Sequence, residues 1–513
     1  MTAAPPGPAR ISLNVPLALA APLIAGALAL AFGADFNYDL RHYHFYNGYA
    51  LVHGRFDYDF APAGIQSFFN PLPDGLYYLG LRHLPSRLFG FLLGAAHGLN
   101  VVLVHGIAQR ALAGDPRVRV LALLAAVVAG LGSNMLSLLG TTTGDTLVSL
   151  PALLAVLLAL RGGKRSGLVA GLAAGAAAGL KLTMLAPAAA LMVALGVTHP
   201  RGGAMLKHFA VGGIVGFLTT AGWWCSRLLE RFANPVFPFL NGLFRSPFFR
   251  PDNAVDPRFG ARFWWEALSL PLDMAMGWTS GLQEIRFREP RFLLVLVAAL
   301  LWLLARARAR SARAHGPIRL GSPARLVLTF WLVAYVLWVY GMHYYRYAAV
   351  LELLAPVVVL LLLRATPWGG ARVLAAFLLI AFVGSRPVSW GREAWSDDWF
   401  GVRLPALPRA SETLVIVAGE RVAYVAPFFP GTTRFVGLTR RGSPGLDGLV
   451  AERLAAHRGS FLLLQGVGAT ASDALRFGLT PAGPCQPIET RDGGLCLYRL
   501  IESGGAHSHN PGS

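Results

Sequence analysis

Unbroken apolar runs constrain this chain more than any other feature. Residues 292–304 read FLLVLVAALLWLL and residues 327–340 read VLTFWLVAYVLWVY, with no repeat that would leave one face polar. Runs of about 15–25 apolar residues between polar flanks are read as membrane-spanning helices. Composition agrees, since 55% of the 513 residues are hydrophobic and 14% are charged. A soluble chain would carry about a quarter charged residues. Such runs fall at 15–33, 87–108, 119–136, 146–160, 167–180, 182–197, 208–226, 291–305, 326–341, 347–363 and 371–385. They predict a mainly α, multi-pass transmembrane helical bundle of about eleven spans. The first run is long and no small-residue cleavage site follows it, so it reads as a retained helix rather than a signal peptide.

The net charge of +19 raises nucleic-acid binding, but no recognition motif accompanies it, and that class is set aside. Of 45 basic residues only Lys164, Lys181 and Lys207 are lysines, and most of the arginines sit in short loops. Arg110, Arg117 and Arg119 share one loop, Arg161, Lys164 and Arg165 another, and Arg201 and Lys207 a third. The stretch 306–325 and the pair Arg364 and Arg372 complete the set. All lie on one side if the N-terminus is cytoplasmic, as the positive-inside rule requires. A transmembrane domain, 1–385, then carries external segments at 34–86 and 227–290, and 386–513 is also external.

That last segment reads differently from the rest. Short apolar runs at 414–417, 461–465 and 495–501 alternate with helical stretches at 449–456 and 471–477, which predicts a small extracytoplasmic α/β domain. Cys485 and Cys496 lie there, on the oxidising side, and are expected to form a disulfide. Cys225 ends an apolar run, where a buried free thiol is the default.

The segment DFNYDLRHYHFYNGYALVHGRFDYDFAPAGIQSFFNPLPDGLYYLG, 35–80, is the richest in chemistry. It sets Asp35, Asp39, Asp57, Asp59 and Asp74 among aromatics, His42, His44 and His53. An aromatic, amphipathic segment of this kind suits a membrane surface above a cavity. The plainer alternative is an interfacial belt, which would not need so many carboxylates. Lys181 lies between two apolar segments, where an unpaired charge costs about 2.5–3.5 kcal/mol. It is expected to face a cavity or an anion. Arg346, in HYYRY after the arginine-poor loop at His343, offers bidentate phosphate binding. Snorkelling to the interface is the bland alternative for both cations. Asp145, in TTTGDT, is either a helix cap or a second acidic group near the cavity. Glu352 is expected to pair with a neighbour, and His97 and His105 to be satisfied interior histidines. The four-residue repeat of Gly167, Gly171, Gly175 and Gly179 reads as close helix packing. No HExxH, CxxC, Walker or GxGxxG motif appears in a fitting context. Carboxylates for a divalent metal are present, but their spacing singles out no site, so the cofactor is left unknown.

The order of these features resembles the GT-C superfamily of polyprenyl-phosphate-dependent membrane glycosyltransferases, which includes protein O-mannosyltransferases and lipid A aminoarabinose transferases. The residues that carry the resemblance begin with Asp39, four before Tyr43, just after the first helix. Gly54, Asn70-Pro71-Leu72-Pro73 and Tyr77-Tyr78 follow. Further on come Gly179-Leu180-Lys181, Asn234-Pro235-Val236-Phe237-Pro238 and Arg346-Tyr347. The resemblance implies a GT-C-like bundle with an external active site in a bacterial inner membrane. It implies a lipid-linked sugar donor and a lipid, glycan or protein acceptor. Asp39 is expected to be the catalytic base, with Asp35 its competitor. Lys181, Arg346, Asp35, Tyr43, Asp145 and His343 are expected to bind substrate. Relatives often carry Asp-Glu where this chain has Asp39-Leu40, so a second carboxylate has to come from elsewhere. The competing classes are a transporter or flippase of lipid-linked sugars, which should show an inverted repeat, and a non-catalytic membrane assembly protein.

Overall fold

A computed structural model describes residues 14–199, 202–253, 256–261, 263–311, 320–407, 412–438, 443–466 and 472–502. Arg201, part of the basic stretch expected at 306–325, Ala471 and the end of the C-terminal segment lie outside these residues. The chain divides into two compact units. The helical unit comprises 1–33, 90–223 and 256–390, and the mixed unit comprises 34–89, 224–255 and 391–513.

Every expected apolar run contains a helix, but the expected number of spans is not reached. Among the described residues six helices are long and apolar enough to cross a membrane: Val15–Phe32, Ser86–Ala111, Gly203–Phe232, Arg291–Ala309, Ser322–Met342 and Tyr345–Arg364. Val118–Gly130, Asp145–Ala159, Leu182–Thr198 and Ala371–Gly384 are apolar but shorter. Backbone breaks end two of the apolar segments. Lys181 is extended, with φ −151° and ψ 118°, and ends the helix Lys164–Leu180. Likewise Val118–Gly130 stops before the separate short helix Ser133–Ser137.

The glycine repeat packs as its spacing predicts. A Cβ at Gly171 would lie 2.1 Å from the Phe209 carbonyl oxygen, and one at Gly175 would lie 2.0 Å from that of Gly213. Gly167 meets Met205 and Gly179 meets Thr220, so Lys164–Leu180 and Gly203–Phe217 run in the same direction. Lipid offers no hydrophobic drive for helix association, so close backbone approach through small residues supplies the contact.

A fully buried polar network ties five segments of the helical unit together. Arg291 Nη1 donates to Glu289 Oε2 at 2.5 Å, and Arg291 Nη2 donates to the Val128 carbonyl at 2.8 Å. Glu289 Oε2 accepts the Ser133 amide at 3.0 Å. Glu352 accepts the amides of Asn134 and Met135, at 2.9 and 3.1 Å, and the Tyr345 hydroxyl. Two carboxylates thus satisfy the orphan amides that begin Ser133–Ser137. Glu352 pairs with neighbours, as the sequence predicts. His97 is likewise satisfied, its Nδ1 3.2 Å from the Gly140 amide.

The mixed unit holds a five-stranded sheet. Its strands are β3 (Thr413–Ala418), β4 (Arg434–Gly437), β5 (Ser460–Gln465), β6 (Leu479–Ile488) and β7 (Leu495–Glu502), after a short antiparallel pair of β1 (Ala34–Asp35) and β2 (Arg392–Glu393). The order is β4-β3-β5-β7-β6, with β3 parallel to both neighbours and β6 and β7 forming an antiparallel edge. Interior strand β3 is buried along its whole length, as a strand in a parallel ladder should be. The early segment 34–89 belongs to this unit because it adds to the sheet edge. The Phe60 amide donates to Phe435 O at 2.9 Å, and the Gly437 amide donates to Phe60 O at 2.8 Å. Buried Arg55 and Asp59 reinforce the join: Arg55 donates to the carbonyls of Gly431 and Thr433, and Asp59 accepts the Phe435 amide.

Cys485 and Cys496 form the disulfide expected from the sequence, with Cα atoms 5.4 Å apart, bridging β6 and β7. Reduction is expected to lower the stability of this domain by about 2–3 kcal/mol, because the closed loop is short. Mass spectrometry of unreduced peptides that finds both thiols free would reject the bond. Cys225 is a free thiol and half-buried.

Candidate functional site

In the helical unit three breaks in regular structure bring three charges together. Asp145 is the first residue of Asp145–Ala159, after Gly144, which holds the cap position at φ 82°. The sequence left Asp145 as a cap or an acidic group of the cavity; its carboxylate makes no capping bond and instead meets cations. Lys181 Nζ lies 2.6 Å from Asp145 Oδ1 and donates to the Thr143 carbonyl at 3.0 Å. Arg346, in the turn Tyr345–Ala348, places Nε 4.0 Å from Asp145 Oδ2. Asp145 has no exposed side-chain surface, whereas the side chains of Lys181 and Arg346 keep 22% and 12%. The two cations therefore remain reachable and the carboxylate behind them does not.

Aromatic faces and a backbone brace position Arg346. Its guanidinium lies 5.1 Å from the ring centroids of both Tyr344 and Trp390. Asn134 Nδ2 donates to the carbonyl of Arg346 at 3.1 Å, which links the turn to the buried network. Beside the cations lies an apolar cavity of about 230 Å³ whose lining includes Leu182, Thr183, Leu185, Trp338, Tyr347 and Leu351. Leu182 follows Lys181 and Tyr347 follows Arg346 in the chain, and Lys181 Nζ lies 5.6 Å from the ring centroid of Tyr347. His343, expected among the substrate contacts, has Nδ1 3.2 Å from Val339 O in its own helix and packs its ring on Trp338.

In the mixed unit four of the five early aspartates are tied to partners that hold the chain. Asp35 is fully buried and accepts both the amide and the side-chain N–H of Asn37, at 3.2 and 2.7 Å. Asp59 is bound by Arg55 and Tyr46, Asp74 lies 2.6 Å from His44 Nδ1, and Asp57 takes Arg227 and Arg231. Asp39 is 9% exposed, begins the π-helical turn Leu40–His44, and its charge acts on His42 and Tyr38. Single π turns recur at functional sites. The ring of Tyr43 lies tilted against His44, with centroids 4.1 Å apart, and meets Phe69 edge-on at 5.5 Å.

Sequence reading did not single out Glu420 or Arg421. The Tyr38 hydroxyl bonds Glu420, whose charge also reaches His42. The Arg421 amide donates to His42 Nδ1 at 3.2 Å, which assigns the neutral ring's proton to Nε2. Burial lowers the pKa of His42 and favours that neutral ring. Glu420 is therefore a second carboxylate in the neighbourhood of His42, beside Asp39. Among the described residues no group of three or more His, Cys, Asp or Glu is placed to hold a metal ion.

No protein-family model matches the chain, and no curated protein matches it in sequence. Among solved structures it is similar to the arabinofuranosyltransferase AftD from Mycobacteria, at 15% identity and a TM-score of 0.45 over 96% of this chain. The match takes in 42% of that longer chain.

Proposed function

We propose that the protein is a membrane glycosyltransferase that moves a sugar from a polyprenyl-phosphate donor to an acceptor at the external face of a bacterial inner membrane. One observation carries the reading: two partly exposed cations, Lys181 and Arg346, share Asp145, and the residue after each of them lines an apolar cavity. An anion joined to a hydrocarbon chain suits such a place, because the cations answer the phosphate and the cavity answers the lipid. In the proposed reaction Asp39 takes the acceptor hydroxyl proton, and the acceptor oxygen forms its bond to the anomeric carbon. The bond from that carbon to the phosphate oxygen breaks, and the lipid phosphate leaves with the electron pair, stabilised by Lys181 and Arg346. Glu420 supplies the carboxylate that position 40 lacks.

The test is transfer in proteoliposomes with purified protein, comparing a polyprenyl-phosphate sugar with a nucleotide sugar. Lys181→Met and Arg346→Met are each expected to weaken use of the lipid donor by about 10- to 100-fold, the loss of a charge-assisted contact of about 1.5–3 kcal/mol. Unchanged donor kinetics in both variants would make them interface anchors. Donor movement across the bilayer without sugar transfer would favour a flippase.

A further inference from the structure

We propose that the helix Glu266–Met276, with the aromatic residues at its two ends, is an interfacial anchor seated in the lipid leaflet at the Met342 end of the span Ser322–Met342. Its partner is the apolar interior of that leaflet rather than a charged headgroup. Leu268, Leu272 and Met276 fall every four residues, share one helix face and are all exposed. Trp264 and Trp265 precede them and Trp278 follows, exposed by 70%, 49% and 63%. The rings of Phe263 and Trp265 stack at 4.4 Å. The other face is spent on the protein, with Leu270, Pro271 and Met274 buried. An apolar face of this size beside three exposed tryptophans calls for a partner.

The attachment of the helix says which partner. Three hydrogen bonds step inward along the span as the chain enters the helix. The His343 amide donates to Phe259 O at 2.9 Å, the Tyr340 hydroxyl to Trp264 O at 3.1 Å, and the Tyr335 hydroxyl to Ala267 O at 2.6 Å. The helix therefore runs beside the end of the span, not beyond it. Leu332, Val336 and Leu337 of that span are exposed too, so the apolar face of the helix continues a surface that lipid covers. Tryptophan and tyrosine favour the boundary between acyl chain and water, with the ring in one and the N–H or O–H in the other. Residues 263–278 contain Glu266 and Asp273 and neither lysine nor arginine, so apolar burial rather than attraction to anionic headgroups drives the seating. Part of the segment 227–290, external by its sequence, then lies in the bilayer. From the helix the chain continues to Leu282, whose carbonyl accepts the Tyr345 amide at 2.9 Å, and to Phe287, stacked on Tyr345 at 3.8 Å. The anchored segment thus braces the turn that holds Arg346.

Quenching in vesicles tests the seating on purified full-length protein, without reference to sugar transfer. In a Cys225→Ser background, where Cys485 and Cys496 stay in their disulfide, bimane is attached at Leu268→Cys or Leu272→Cys. Phosphatidylcholine brominated on its acyl chains is expected to quench both labels, and iodide in the water is not. The loss of emission is expected to be the same with phosphatidylglycerol added. Trp264→Phe combined with Trp278→Phe, which keeps the Trp264 carbonyl bond, is expected to reduce the share of tryptophan emission that the brominated lipid removes. Labels quenched by iodide and spared by brominated lipid would place the face in water and overturn the proposal. Labels spared by both in a protein that migrates as a dimer would give the face to a second copy and overturn it as well. Quenching by brominated lipid only when phosphatidylglycerol is present would make the partner a headgroup, against the proposal. Should the labelled variants fail to fold, unchanged quenching in the double tryptophan variant overturns it alone.

Discussion

Asp39→Asn is expected to lower sugar transfer by about a hundredfold or more, because it keeps the shape of the side chain and removes the base. Asp35 is fully buried and bound by Asn37, and it sits in the pairing of β1 with β2. Asp59 and Asp74 are likewise buried against Arg55 and His44. Asp57 is exposed but ion-paired with Arg227 and Arg231. Asp39 is buried at 9% exposure, opens a π-helical turn and acts by its charge on His42, whose neutral form burial favours. Asp35→Asn is accordingly expected to reduce stability more than turnover, and Asp57→Asn to be mild. The measurement is initial rate at saturating lipid donor on purified, folded variants. Near-normal turnover in Asp39→Asn would sink the assignment. A dead but stable Asp35→Asn would move the base one turn toward the membrane.

Arg291→Met is expected to destabilise the helical unit by about 3–5 kcal/mol, through the buried anion it leaves behind. Arg291 is 1% exposed and Glu289 is fully buried. The guanidinium also holds the Val128 carbonyl and the Ser385 hydroxyl, so its loss removes a hydrogen bond from two other segments. Pairing Arg291→Met with Glu289→Gln removes both charges and is expected to recover part of the loss. Thermal unfolding in detergent reads both variants. A single variant that melts with the wild type would show that the network does not stabilise the bundle. The same network reaches Arg346 through Asn134, so a lower donor affinity in Arg291→Met is expected to accompany the lower melting temperature.

Some of the molecule was legible without a structure because it depends on neighbours along the chain. Helices follow from apolar runs, since lipid forces each backbone amide to bond within its own segment. The glycine repeat announced a close helix pair, because only small residues let two backbones touch. The strands at 414–417, 461–465 and 495–501 were visible as apolar runs, whereas β6 was not. It carries Pro481, Pro484 and Pro487, which a strand tolerates at the edge it occupies but which read as loop in sequence. The count of about eleven spans is not confirmed, since among the described residues four of the apolar helices are shorter than 18 residues.

What only the tertiary structure decided is which charges meet. Asp145, Lys181 and Arg346 come from three separate breaks in the helical unit, and the residues between them carry no trace of the pairing. Glu420 reaches Tyr38 and His42 from the far end of β3, where no local signal distinguishes it from other loop carboxylates. Hydropathy and spacing record short-range physics: burial, backbone satisfaction and helix contact. An ion pair depends on distance in space, and that distance is set by packing that no single segment encodes.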